Sequence, residues 1–259
     1  MFDAHCHLDD ARIADPEATL ARAVRAGLEG CVVAGVDPLE TSALRALSAW
    51  PQVGVTLGLH PWVAARCVDL AGVRRRLDAL EALLEQIPVV GLGECGLDRS
   101  RLAPATPFEL QELAFKEQLA SARARNLPVV LHVIKAHEEV LQVLRRDGLP
   151  QRGGMVHSFA GSLELAEQYL SLGLVLSFSA SILTAGRRSQ RAVASLPADC
   201  FLVETDAPDQ CPNDRKPALN EPAFLVDVIA AIAALRCCEA VEIEALTAAN
   251  ARRLFLGNG

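Results

Sequence analysis

Eight apolar runs punctuate the chain, at 2–8, 30–36, 53–57, 88–94, 128–133, 154–159, 174–179 and 201–206. Each is short for a helix and nearly continuous in its apolar character, which predicts a strand covered on both faces. The stretches between them carry helix signals. Asp15-Pro16-Glu17 reads as an N-cap, a proline at the first helical position and a first-turn acid, opening a helix to about Gly27. Asp37-Pro38 predicts the cap of the next helix. Further helices are expected over 71–86, from Thr106 to about Asn126 behind a Thr-Pro-Phe-Glu capping box, onward to Arg146, from Ser162, over 221–235 and over 243–255. Strands alternating with helices define an α/β chain, and eight strands in 259 residues predict a (β/α)8 TIM barrel, with 1–259 as a single domain. An open doubly wound sheet is the alternative, but no Gly-x-Gly-x-x-Gly follows an early strand.

Polar residues interrupt these runs at their C-terminal ends, where barrels of this kind carry their chemistry. They are His5, His7, His60, Glu94, His132, His157 and Asp206, and they include five of the six histidines in the chain. In a strand His5 and His7 share one face while Cys6 points to the other. A lone histidine at such a place is most often a satisfied core residue. Many of them together, with two carboxylates, predict a convergent site, because isolated buried polar groups are costly. Neutral imidazoles beside carboxylates suit a borderline or hard divalent cation. Glu204, two residues before Asp206 and one layer deeper, reads either as support for the ligands or as a buried acid with a structural partner. Asp98 reads as a loop carboxylate. Asp3 and Asp9 read as support or as solvent-facing, and His137, at the start of a helix, as exposed.

The ordered motifs Phe-Asp-Ala-His-Cys-His-Leu-Asp, Leu-Gly-Leu-His-Pro, Gly-Glu-Cys-Gly-Leu-Asp, Leu-Pro-Val-Val-Leu-His, Val-His-Ser-Phe-Ala-Gly and Glu-Thr-Asp-Ala-Pro, with the later Asn220-Glu221-Pro222, span essentially the whole chain. In them the sequence resembles the TatD family of metal-dependent hydrolases, within the amidohydrolase-like barrels. The resemblance implies two divalent ions (Mg²⁺, Mn²⁺ or Zn²⁺) held by His5, His7, Glu94, His132, His157 and Asp206. Glu94 would bridge the ions and Asp206 accept the proton of the attacking water, which makes these two the implied catalytic residues. His60 falls at no ligand position of the family and is expected to contact a substrate phosphate. The implied activity is a deoxyribonuclease acting at single-stranded or frayed DNA ends. Two departures stand out: Ile134, followed by Lys135, occupies a place where the family usually has arginine, and Arg99 one where an aromatic often follows Gly-Leu-Asp. Arg99, Arg101, Arg215 and Lys216 are the loop cations expected to compensate.

Composition narrows these expectations. The formal net charge of −7 argues against a broad polyanion-binding surface, although divalent ions would reverse the sign locally. Residues 224–235 form the longest apolar stretch and are interrupted by Asp227, too little for a membrane span. With no apolar leader before the first strand, a cytoplasmic protein with reduced thiols is expected. Cys6 and Cys95, facing away from the neighbouring ligands, are expected as core filler. Two other functions compete: hydrolysis of another ester or amide at the same site, and a catalytically silent binding barrel. Glu94 stands in the fourth strand, where related amidohydrolases bridge their metals with a carboxylated lysine, and this favours the phosphoesterase branch.

Overall fold

The computed structural model describes residues 1–100 and 108–257. Strands β1 (Phe2–Cys6), β2 (Gly30–Ala34), β3 (Val53–Leu57), β4 (Gly91–Asp98), β5 (Val129–Ile134), β6 (Gly154–Val156), β7 (Leu174–Phe178) and β8 (Phe201–Val203) follow one another in sheet order. Helices alternate with them, as expected for a (β/α)8 barrel. The chain divides into two compact units: Met1–Val33 with Pro51–Gly54 and His157–Gly259, and Ala34–Trp50 with Val55–Val156.

In the first unit, α1 (Pro16–Arg25) starts as expected, with the Asp15 carboxylate accepting from the Ala18 N–H at 2.8 Å. The end of β8 returns to β1: Asp206 N donates to His5 O at 3.0 Å and His7 N to Ala207 O at 2.7 Å. Asp3 secures this junction from inside. Its carboxylate accepts from the Thr205 N–H (3.0 Å), the Thr205 hydroxyl (2.5 Å) and the His5 N–H (3.2 Å). Burial pushes the Asp3 carboxyl up to about 7, against the opposing pull of those donors. Asn220 ties down the loop after β8 by donating to Thr205 O and Asp209 O, and Arg22 grips its neighbour Glu221. The chain continues through α7 (Leu163–Ser171), α8 (Ser181–Thr184), α9 (Arg187–Ser195), α10 (Leu225–Arg236) and α11 (Ala240–Phe255), labels that count the helices of both units in chain order.

The second unit contains α2 (Ser42–Leu47), α3 (Pro61–Arg66), α4 (Leu70–Leu84), α5 (Phe108–Arg125) and α6 (His137–Asp147). Leu59, Ala64, Cys67, Val73, Leu77 and Ala114 form a buried cluster that seats α3 and α4 against α5. Two buried glutamines of α5 reach the backbone of site-bearing segments. Gln118 accepts from Leu59 N (2.7 Å) and donates to Leu59 O (3.0 Å), while Gln111 accepts from Asp98 N (2.8 Å) and donates to Asp98 O (3.2 Å).

Several expectations need correction. Asp37-Pro38 does not cap a helix: the Asp37 carboxylate accepts from Leu39 N and pairs with Arg76, and α2 begins only at Ser42. Strand β4 runs on to Asp98, which is therefore a strand residue and buried. Gly96 permits this, because at φ +138° a side chain there would collide with the His132 carbonyl. The short helices α3, α8 and α9 went unanticipated. The Thr106-Pro107 part of the capping box and Arg101 lie outside the described residues. His137 is half-buried, not exposed, and Cys6 and Cys95 are fully buried.

Asp3→Ala strands three donors beside Thr205 and His5 in a buried place. We expect a loss of about 3 kcal/mol, read as a lower urea midpoint at unchanged slope. A loss below about 0.5 kcal/mol, the size of an ordinary surface change, would show that the junction does not depend on this carboxylate.

Candidate metal centre and active site

Strand alternation delivers His5 and His7 to one place, as their spacing predicts. Their Nε2 atoms lie 3.2 Å apart, and Asp206 Oδ1 sits 3.5 Å from each. Four ligands around a tetrahedral ion with bonds of about 2.1 Å would be roughly 3.4 Å apart. The three atoms thus have the spacing and the N, N, O chemistry of a metal face. Burial alone would raise the Asp206 carboxyl, but the bond to His7 and the neighbouring His157 and His5 outweigh it and hold it at about 2. An ionised Asp206 can only accept hydrogen bonds. Gln210 therefore presents its amide N–H to Asp206 Oδ2, leaving Oδ1 to the histidines. The same logic turns the Gln210 carbonyl toward the Ser158 and Ser179 hydroxyls.

His157 stacks on His5, with centroids 4.3 Å apart and planes at 21°. Glu204, fully buried, places Oε1 3.5 Å from His157 Nδ1 and accepts from Ser158 N at 2.6 Å. Ser158, Asp206 and Gln210 all have positive φ, at 46°, 57° and 52°. Such strain clusters where a site over-determines its backbone.

In the second unit His60, Glu94 and His132 converge. Glu94 Oε1 lies 2.8 Å from His132 Nδ1 and 3.3 Å from His60 Nε2. The far nitrogen of His132, Nε2, donates to Asp98 Oδ2 at 2.9 Å, which leaves the Nδ1 lone pair directed toward Glu94. Burial opposes the ionised form of Asp98, but the bonds from His132 and Ser100 prevail and hold its carboxyl well below the usual range. His60 is set the other way. Its Nδ1 accepts from the Trp62 backbone N–H at 3.0 Å, so the neutral ring has its proton on Nε2, facing Glu94; the donor atoms of His60, Glu94 and His132 are together close enough to hold a metal ion. Gly58 allows the close approach, since a Cβ there would lie 2.5 to 2.7 Å from the Gly93–Glu94 backbone.

Trp62 was missed from the sequence. Its indole N–H donates to Asp98 Oδ2 at 2.7 Å, and its ring meets those of His60 and His132 edge-on at 5.2 and 6.0 Å. The loop cations expected as phosphate contacts have protein partners. Arg99 pairs with Glu139 and lies over the Phe108 ring, Arg215 pairs with Asp227 over Phe224, and Lys216 bonds Asn213. Within the first unit a groove of about 940 Å³ runs from Gln210 past Ser181 and Asn213 to Asp227 on α10.

Paired imidazoles and carboxylates at the strand ends of a (β/α)8 barrel define a metal-dependent hydrolase. The match to known proteins places it further: the chain belongs to the TatD-related DNase family, whose model covers residues 2–256. It is 32% identical over 260 residues to the metal-dependent hydrolase YabD of Bacillus subtilis, covering 98% of each chain. It is 34% identical over 270 residues to the 3'-5' ssDNA/RNA exonuclease TatD of Erwinia tasmaniensis, covering 98% of this chain and 99% of the relative. The crystal structure of the TatD homologue YjjV from Escherichia coli superposes with a TM-score of 0.90 at 34% identity, covering 99% and 98% of the two chains.

Gln210→Leu removes the donor to Asp206 Oδ2 while keeping the volume. We expect divalent-metal affinity, measured by calorimetry on metal-stripped protein, to weaken roughly tenfold, as when other partners of metal ligands are removed. Unchanged affinity would mean that Asp206 holds its orientation without this amide.

Proposed function

We propose that the chain is a two-metal phosphodiesterase that removes nucleotides from free ends of single-stranded or frayed DNA, working as one domain over 1–259 in the cytoplasm. The observation that carries the reading is the convergence of donor atoms in both units: His5 Nε2, His7 Nε2 and Asp206 Oδ1 in one, Glu94 Oε1 and His132 Nδ1 in the other. We assign His5, His7 and Asp206 to one ion, His132 and His157 to the other, and Glu94 to both, as the family resemblance implies. Bound divalent ions supply Lewis acidity and bring the pKa of water toward neutrality. Asp206 accepts the proton of the attacking water, its ionised state maintained by His7 and Gln210. His60 donates its Nε2 proton to a phosphate oxygen. Glu204 orients His157.

Two further observations support this reading. The Erwinia relative is named for exonuclease activity on single-stranded nucleic acid. Among the described residues, the loop cations Arg99, Arg215 and Lys216 each bond to a group of the protein, which fits a grip on one terminal phosphate. All eight cysteines are free, as in a reducing compartment, and among the described residues no helix is long and apolar enough to cross a membrane.

Titration of metal-stripped protein should reach two ions per chain, and a plateau at one would remove the two-metal assignment. Glu94→Gln should lower turnover by more than about a hundredfold, the scale for losing a central electrostatic group, with thermal unfolding followed alongside. A linear single strand should be degraded and a circular one of the same sequence spared. Each phosphate neutralised on a single strand adds about −0.7 to the slope of log affinity against log salt, so a terminal grip should give only one or two such increments. Efficient cutting of the circle, or a steep slope, contradicts an end-acting enzyme. Hydrolysis of acyl esters with no cutting of DNA under any metal would move the assignment to another ester or amide.

A further inference from the structure

Trp62 is held at both ends. Its backbone N–H is given to His60 Nδ1 and its indole N–H to the buried carboxylate of Asp98. The residue is nevertheless only partly buried. With its one polar hydrogen satisfied inside the protein, the accessible part of the side chain offers a ligand only carbon and π surface. Its orientation is set beforehand, so a flat partner meets a ring whose freedom is already lost. Beside it, the His60 ring has its hydrogen on Nε2, which faces Glu94 Oε1 at 3.3 Å, in the cluster that His132 completes.

A fixed aromatic ring whose centroid lies 5.2 and 6.0 Å from those of His60 and His132, beside side chains that could hold a metal ion, matches a ligand that has a phosphate at one point and a flat ring nearby. We propose that Trp62 is the platform on which a nucleobase of the substrate stacks while the adjoining phosphate is held at the neighbouring cluster of His60, Glu94 and His132. The inference rests on the phosphodiesterase reading above and adds the chemical feature recognised beyond the phosphate. A sugar-phosphate chain without bases, or an aliphatic acyl ester, has no flat ring to place there.

The test uses the full chain in two settings, with metal chelated for binding and with Mg²⁺ or Mn²⁺ for hydrolysis. Trp50→Phe leaves Trp62 as the sole tryptophan, so its fluorescence reports on this ring. A thymine-containing single strand should quench it, and an abasic strand of equal length and charge should not. Trp62→Leu and Trp62→Phe both remove the N–H to Asp98, but only the second keeps a ring, and the comparison separates stacking from the support given to Asp98. Base–aromatic stacking predicts that the leucine variant binds the thymine strand roughly tenfold to a hundredfold more weakly than wild type, that the phenylalanine variant recovers much of the loss, and that neither changes affinity for the abasic strand. Equal quenching and equal affinity for the two strands, or equal losses in the two Trp62 variants, overturn the stacking assignment. If wild type then still hydrolyses both strands with metal, the phosphodiesterase reading survives that result. Failure of wild type to hydrolyse either strand with metal present overturns both.

Discussion

A buried imidazole has two nitrogens, and whatever occupies one of them decides what the other can do. This constraint orders the second unit. The Trp62 backbone takes His60 Nδ1, which leaves a donor at Nε2; Asp98 takes the proton of His132 Nε2, which leaves a lone pair at Nδ1. Two histidines whose rings lie 4.5 Å apart thereby acquire opposite character, one with a hydrogen on the nitrogen facing Glu94 and one with a lone pair there. Trp62 serves both arrangements, with its main chain in the first and its indole in the second. In the first unit Gln210 does for a carboxylate what these partners do for imidazoles. By occupying Asp206 Oδ2 it settles which oxygen faces His5 and His7.

The strands were legible because burial on both faces writes them as continuous apolar runs, and β3 falls at the residues expected. Their ends were less so. β4 contains glycines at 91, 93 and 96, which signal a break in a sequence, yet here they admit neighbouring backbone and carry the strand on to Asp98. Helix α9, Arg-Arg-Ser-Gln-Arg-Ala-Val-Ala-Ser, has only three apolar residues, Ala192, Val193 and Ala194, and α3 and α8 are too short to show a periodicity.

Of the site, His5 and His7 could be brought together from strand alternation, because their geometry is local to one strand, whereas Asp206 joined them only through the family resemblance. Gln111, Gln118 and Gln210 could not. Gln111 and Gln118 bond backbone groups distant in the chain, and Gln210 joins Asp206 to Ser158 and Ser179 from a loop, where a lone glutamine looks like surface. Asp3 was ambiguous because a carboxylate one strand step from a histidine reads equally as solvent-facing. Only the return of β8 to β1 shows that it lies inside, with Thr205 as its partner. Trp62 was overlooked because the Leu-Gly-Leu-His-Pro motif stops one residue short of it.

The hold of α5 on the second unit has a consequence for heat inactivation. Gln118 secures the loop leading to His60 and Gln111 secures the end of β4 at Asp98, so the placement of His60 and the tautomer of His132 hang from two positions of one helix, about two turns apart. Local fraying there would loosen both together while the sheet stayed intact. Catalytic competence would then fail at a lower temperature than the fold, and the lost activity would return on cooling without any refolding of the chain.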